Sequence, residues 1–160
     1  TPARVDPLVQ VVDIAPTILD LCGAKPAPTH QGRSFRRVLE GDMTPLREFA
    51  LSGTGVHQGG RYRPATITTT EWSLIHTGKV LAPDEPVFSR KVDNVARYEV
   101  PPDPVPGPEL FHLPTDPGQE INRIESDEAV AQELVDRYVA FLRDLGVSDD
   151  ALELRKTLKL

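Results

Sequence analysis

Ala65-Thr66-Ile67-Thr68-Thr69-Thr70-Glu71-Trp72-Ser73-Leu74-Ile75-His76 is the stretch that decides the fold. Ala65, Ile67 and Thr69 alternate with Thr66, Thr68 and Thr70, so every second side chain faces one way, as in a half-buried strand. Thr70-Glu71 reads as a turn. Trp72, Leu74 and His76 then alternate with Ser73 and Ile75, and the two segments together predict an antiparallel hairpin. A further extended piece is predicted at 47–53, around Phe49-Ala50-Leu51-Ser52. Glu109-Leu110-Phe111-His112-Leu113 predicts another short strand. It runs into Pro114-Thr115-Asp116-Pro117-Gly118, a turn signal in which Asp116 holds its own backbone.

Outward from these strands the pattern changes to helical. Asp13 is the expected N-cap of a short, well-buried helix over 14–22, with Pro16 in its first turn and Gly23 as its stop. Ile14, Ile18, Leu19 and Leu21 supply its apolar face. The β-branched run before it, Val9-Gln10-Val11-Val12, reads as a strand or the approach to one. After the connection through Pro26 and Pro28, Ser34 is expected to cap a second short helix. Phe35, Val38 and Leu39 would line it and Gly41 would end it.

Near the C-terminus, Ser126 is the expected cap of a helix over 127–145. Val130, Leu134, Tyr138, Phe141/Leu142 and Leu145 fall on one face at helical spacing, and Gly146 is the stop. Asp127, Glu128, Glu133, Asp136 and Asp144 form its solvated stripe, and Asp136-Arg137 provides no i,i+4 pair. Ser148 would cap a weaker helix to about residue 157. The fold class is α+β: a small antiparallel sheet packed on one face against a long C-terminal helix, preceded by short helices.

Composition narrows the function classes. The chain has 160 residues, with 18 Lys+Arg against 24 Asp+Glu and a formal charge of −6. It has no basic block to meet phosphates, so no nucleic acid is expected as partner. No run of about 18 apolar residues exists, so no membrane-spanning helix is expected. One cysteine forms no internal disulfide and no Cys-rich zinc site. Seven of the 16 prolines fall in residues 79–108. That segment could be a linker, an arm wrapping another domain or an arm reaching a neighbouring subunit. Phe88, Val92, Val95, Tyr98 and Val100 are apolar anchors that favour an arm. The start at Thr1-Pro2, with neither initiator Met nor signal-peptide pattern, predicts a piece of something longer.

Four motifs in order carry a resemblance. Val12-Asp13-Ile14-Ala15-Pro16-Thr17-Ile18-Leu19-Asp20-Leu21-Cys22-Gly23 resembles the VD-(I/L)-APT-(I/L)-LDL-x-G segment of the sulfatase family, in the alkaline-phosphatase-like superfamily. Gln31-Gly32-Arg33-Ser34-Phe35 with Leu39-Glu40-Gly41 resembles the QGRSL…LLxG that follows it. Tyr62-Arg63 through Thr69, with Trp72-Ser73-Leu74-Ile75, resembles an R-x-x-x-x-T-x-x-W-K-L-I hairpin. Residues 109–122 resemble ELYDL-x-x-DPGE-x-x-N. The sequence departs from these patterns at Ser73, where Lys is usual, at Thr66 and Thr68, where Arg is common, and at His112, where Asp is usual.

The resemblance covers the C-terminal third of the family only. It implies that residues 1–46 are the tail end of an α/β catalytic domain and 47–146 a C-terminal α+β subdomain carrying the Pro-rich arm, with 147–160 a tail. It also implies a parent that hydrolyses sulfate esters by means of formylglycine and a divalent cation, with calcium the expected ion. The nucleophile would come from a C/S-x-P/A-x-R motif. Cys22 is followed by Ala24 two residues on and Pro26, not Arg, four residues on, so it is not that nucleophile. It reads instead as a small apolar residue on a buried helix. No catalytic residue, no metal ligand and no cofactor is therefore expected in this piece, and alone it should be inactive.

The expected partner is the upstream catalytic domain, with self-assembly through the arm as an option. A phosphonate or phosphodiester hydrolase of the same superfamily and a non-catalytic interaction module are the alternative readings. His57, Arg61 and Arg63, in the glycine-rich stretch 53–63, are the candidates for the rim of a substrate pocket, because a guanidinium fork suits a sulfate or phosphate. His30, His76 and His112 lack metal-ligand spacing and read as structural or surface residues.

Overall fold

The computed structural model describes residues 5–53, 64–76, 88–92, 95–98, 107–153 and 155–158. Its elements run in the order of a 3-10 turn Val11–Asp13, α1 Ile14–Leu21, α2 Arg36–Leu39, β1 Ala50–Gly53, β2 Ala65–Thr68, β3 Trp72–His76, β4 Phe88–Val92, β5 Val95–Tyr98, β6 Glu109–His112, α3 Glu128–Asp144 and α4 Asp149–Glu153. β1-β2-β3-β6 form a four-stranded antiparallel sheet, and β4 and β5 form a separate antiparallel pair. The α+β class and the 65–76 hairpin are as the alternation predicts. The β4–β5 pair lies inside the Pro-rich segment, where only an arm or a linker was expected. Among the described residues no helix is long and apolar enough to cross a membrane.

The chain divides into two compact units, Thr1–Ser52 with Thr68–Thr70, and Gly53–Ile67 with Glu71–Leu160. In the second, β3 and β6 pair in the register Trp72↔His112, Ser73↔Phe111, Leu74↔Leu110, Ile75↔Glu109. Opposed residues share a face, so Leu74, His76 and Leu110 lie together, and α3 covers that side through Tyr138. Ser73 and Phe111 are buried on the other face as well, so the centre of the sheet is covered on both sides rather than one.

The far edge of β6 is closed by the loop that follows it. The Asn122 side-chain oxygen accepts from Leu110 N–H and Ile124 N–H, both at 3.0 Å, and Arg123 N–H donates to Leu110 O at 2.7 Å. Asp116 holds its turn as expected, accepting from the N–H groups of Glu120 and Ile121. Those bonds hold its carboxyl below the usual carboxylate range.

α3 buries Ala131, Leu134, Val135, Tyr138, Val139 and Leu142. The stripe is rotated from the expected one. Phe141 and Leu145 are exposed, because the face centres on the 131/135/138/142 line. Arg137, expected to have no i,i+4 partner, pairs with Glu133 at 2.7 Å. Ser126 is not the cap: Asp127 holds that position, and the Ser126 hydroxyl turns to Arg123 O and the Asp127 carboxylate. α4 ends at Glu153, short of 157.

The helix stops are as read. Gly23, Gly41 and Gly146 each follow a helix at φ 71°, 101° and 81°. Each heads a pair of closing bonds, such as Gly146 N–H to Arg143 O at 2.9 Å and Val147 N–H to Leu142 O at 3.1 Å. This six-to-one and five-to-two closure needs a left-handed residue, which glycine adopts without a Cβ penalty.

Candidate functional site

The rim candidates His57, Arg61 and Arg63 lie outside the described residues. So do the side chains of Phe88, Val92, Val95 and Tyr98, and all of Val100. What the structure does assemble is a polar hub where the first two quoted motifs meet. The β-branched run does not form a strand. It tightens into the 3-10 turn Val11–Asp13 and delivers Asp13 inward.

Asp13 is fully buried. It holds the N-cap position of α1, as the sequence predicts, but makes no side-chain cap bond there. Its Oδ2 accepts from Gln10 N–H at 2.7 Å, and its Oδ1 from Arg33 N–H at 2.8 Å and Arg47 Nη2 at 2.6 Å. Arg47 also donates through Nη1 to Gln10 Oε1 at 2.8 Å, and Gln10 Nε2 donates to Leu51 O at 2.7 Å. Burial alone would raise the Asp13 carboxyl. The Arg47 hydrogen bond, the Arg33 and Gln10 N–H groups and the Arg47 charge outweigh it, holding the carboxyl below its usual value.

A second strut runs beside the first. Thr17 Oγ1 donates to Asp13 O at 2.6 Å and accepts from Phe35 N–H at 3.0 Å. Ser34 donates to Asp20 at 2.6 Å and accepts from Arg36 N–H, so it serves the start of α2 although Phe35 holds the cap position. Arg33 Nη1 reaches Leu46 O at 2.6 Å. Gly32 passes so close to the 3-10 turn that a Cβ there would stand 1.9 Å from Val12 O.

Both Asp13 oxygens accept from fixed donors, three bonds in all, and the side chain is buried, so it is held as a structural tie rather than presented to solvent. It is a clamp. The order of the motifs places Asp13 and Arg33 in neighbouring signatures, but nothing local in the sequence marks Arg47, 34 residues on, as the counter-ion.

α1 is not well buried. Its inward residues are Pro16 and Thr17, while Ile14, Ile18 and Leu21 are exposed. Cys22 is exposed too, not packed in a core. His30 and His112 make local bonds, to Ala27 O and to Thr115 Oγ1. The His112 ring also lies tilted against Trp72, its cross-strand partner, with ring centres 4.7 Å apart, and the Arg123 guanidinium lies 5.4 Å from the same indole. His76 is buried on β3. Among the described residues no three His, Cys, Asp or Glu side chains converge as metal ligands.

This α+β arrangement is shared with solved structures that are sulfatase-related. One, determined in complex with its substrate D-glucosamine-2-N,6-O-disulfate, matches at TM-score 0.51 and 21% identity over 88% of this chain and 25% of its own. Another, labelled 6S-sulf, belongs to a core genetic locus by which Bacteroides thetaiotaomicron metabolises multiple glycosaminoglycans. It matches at TM-score 0.51 and 17% identity over 81% of this chain and 24% of its own. At these identities the likeness is one of fold. The chain spans about a quarter of each of these proteins. No protein-family profile and no curated protein matches it.

Proposed function

We propose that this chain is the C-terminal portion of a sulfatase-like hydrolase that cleaves sulfate esters, and that its own task is architectural. The fold shared with sulfatase-related structures, one of them holding a disulfated glucosamine as substrate, is the observation that supports this reading. The Asp13 clamp gives it physical content. It ties the segment 10–17 to residues 32–35 and Arg47 and so fixes how α1 is presented to the rest of the parent.

The described residues do not fit the divalent cation or the formylglycine that the family would use. They contain no ligand cluster, and Cys22 stands outside the C/S-x-P/A-x-R pattern. We assign that chemistry to the preceding part of the parent and the rim of the pocket to His57, Arg61 and Arg63. A sulfated amino sugar is the substrate class, by analogy with the glucosamine disulfate of the related structure.

Two measurements test the reading. The coding frame on the N-terminal side of Thr1 should carry a C/S-x-P/A-x-R motif, and a frame without one overturns the sulfatase assignment. The purified 160-residue chain should leave an aryl sulfate intact. Turnover by that chain would overturn the architectural role.

A further inference from the structure

His76 is the one buried histidine among the described residues, 2% exposed. Its Nε2 stands 2.8 Å from the carbonyl oxygen of Arg155, so the neutral ring carries its proton on Nε2 and donates it there. Nδ1 has no partner among the described residues. The bond joins β3 to the segment after α4, which is otherwise anchored by the fully buried Leu152 and by Arg155 N–H to Leu152 O at 2.8 Å.

Among the described residues no carboxylate is bonded to the ring. β3 itself carries no charged residue. On α3 the buried face offers only Tyr138, edge-on at 6.3 Å between ring centres. On β6, Glu109 lies opposite Ile75, on the other face, and His112 lies opposite Trp72, four residues along. β2 has no titratable group. The C-terminal segment brings Asp149 and Asp150 in the first turn of α4, the ion pair of Glu153 with Lys156, and Arg155, whose Nη1 donates to Ala151 O.

We propose that His76 is an acid-released latch: neutral, it holds the segment from α4 to Arg155 against β3, and protonated, it lets that segment go. A second proton on the ring would sit on Nδ1, where no described residue offers an acceptor, inside a site that already contains Arg155. Burial pushes the imidazole below its ordinary value of 6.5. The Arg155 charge acts in the same sense and the Arg155 carbonyl opposes it. The closed state therefore binds fewer protons than the open one. The latch is at full strength above 6.5 and weakens as pH falls towards the closed-state value. This device is independent of the sulfatase reading.

Amide hydrogen exchange on the full chain, corrected for the intrinsic pH dependence, provides the test. Between pH 7.5 and 5.5 the open population of residues 152–158 should rise by up to about tenfold, the factor an ordinary imidazole gains one unit below its own value. Protection of Leu134–Val139 on α3 should stay unchanged. The His76→Gln variant should lose the pH response. An unchanged response in that variant, or no response in the parent chain, overturns the latch. If the variant does not fold, the ring proton of His76 followed by NMR in the parent chain decides. Its titration should coincide with loss of protection at 152–158, and titration with that segment still protected overturns the proposal.

Discussion

At Asp13 one carboxylate does the work of several weaker contacts. Arg47 is 10% exposed along its side chain and Asp13 not at all, so the pair is shielded from the screening that makes surface ion pairs weak. Removing one partner of such a pair leaves the other buried and uncompensated, at a cost of about 3–5 kcal/mol. Asp13→Ala should lose about that much in urea unfolding followed at the first unit, and Arg36→Ala, at an exposed pair with Glu40, far less. Asp13 also sets a pH limit. Its folded-state carboxyl is held below 3.8, so its contribution is complete above that value and fades as pH falls through the lower folded-state one. The acid midpoint of the Asp13→Asn variant should be less steep than that of the parent. Gly32 supplies the matching backbone constraint. A methyl at Gly32 meets the Val12 carbonyl head-on, whereas at Gly23 it meets open space and only the positive φ resists it. Gly32→Ala should therefore cost more than the roughly 1–2 kcal/mol of Gly23→Ala.

The elements differ in what holds them. α3 is stabilised by its buried stripe, since its opposite face carries only exposed pairs such as Arg137 with Glu133. Leu134→Ala should cost about 2–5 kcal/mol by cavity formation, while Arg137→Ala should cost about 0.5 kcal/mol or less, both read from thermal unfolding. Strand alternation at 65–76 and the glycine stops were legible because they follow from local geometry: period two on a sheet, and a left-handed residue where a helix closes. The caps were less so. Asp13 and Ser126 are cap-type residues in cap-like positions, but each found a stronger or nearer partner, Arg47 for one and the Asp127 carboxylate for the other. The expected stripe of α3 lies about a sixth of a turn from the buried one and shares Leu134, Tyr138 and Leu142 with it, because periodicity alone does not say which neighbour the helix meets. For the candidate site the sequence supplied the motif order but not the long-range counter-ion, and His57, Arg61 and Arg63 stand outside the described residues.

For the molecule as a whole, the decisive feature is an apolar stretch that the described chain leaves uncovered. Val9, Val11, Val12, Ile14, Ile18 and Leu21 are all exposed, Val11 to 83%. Between Val9 and Leu21 the only charged groups are Asp13, which is buried, and Asp20, which is tied to Ser34 and Arg36. Scattered exposed apolar residues are ordinary, but six along thirteen positions, with Ile14, Ile18 and Leu21 at the spacing of one face of α1, favour association. The net charge of −6 opposes it by mutual repulsion, and salt weakens that repulsion without weakening apolar contact. The 17.6 kDa chain should therefore self-associate with rising concentration, more strongly at 0.5 M salt than at low salt. Ile18→Asp should return the mass in sedimentation equilibrium to that of a monomer while leaving the melting temperature nearly unchanged, because Ile18 contributes little to the packed interior of its unit. A parent chain that stays monomeric across that range would show that the patch is too dispersed to act as one surface. A variant that still associates would move the contact away from α1.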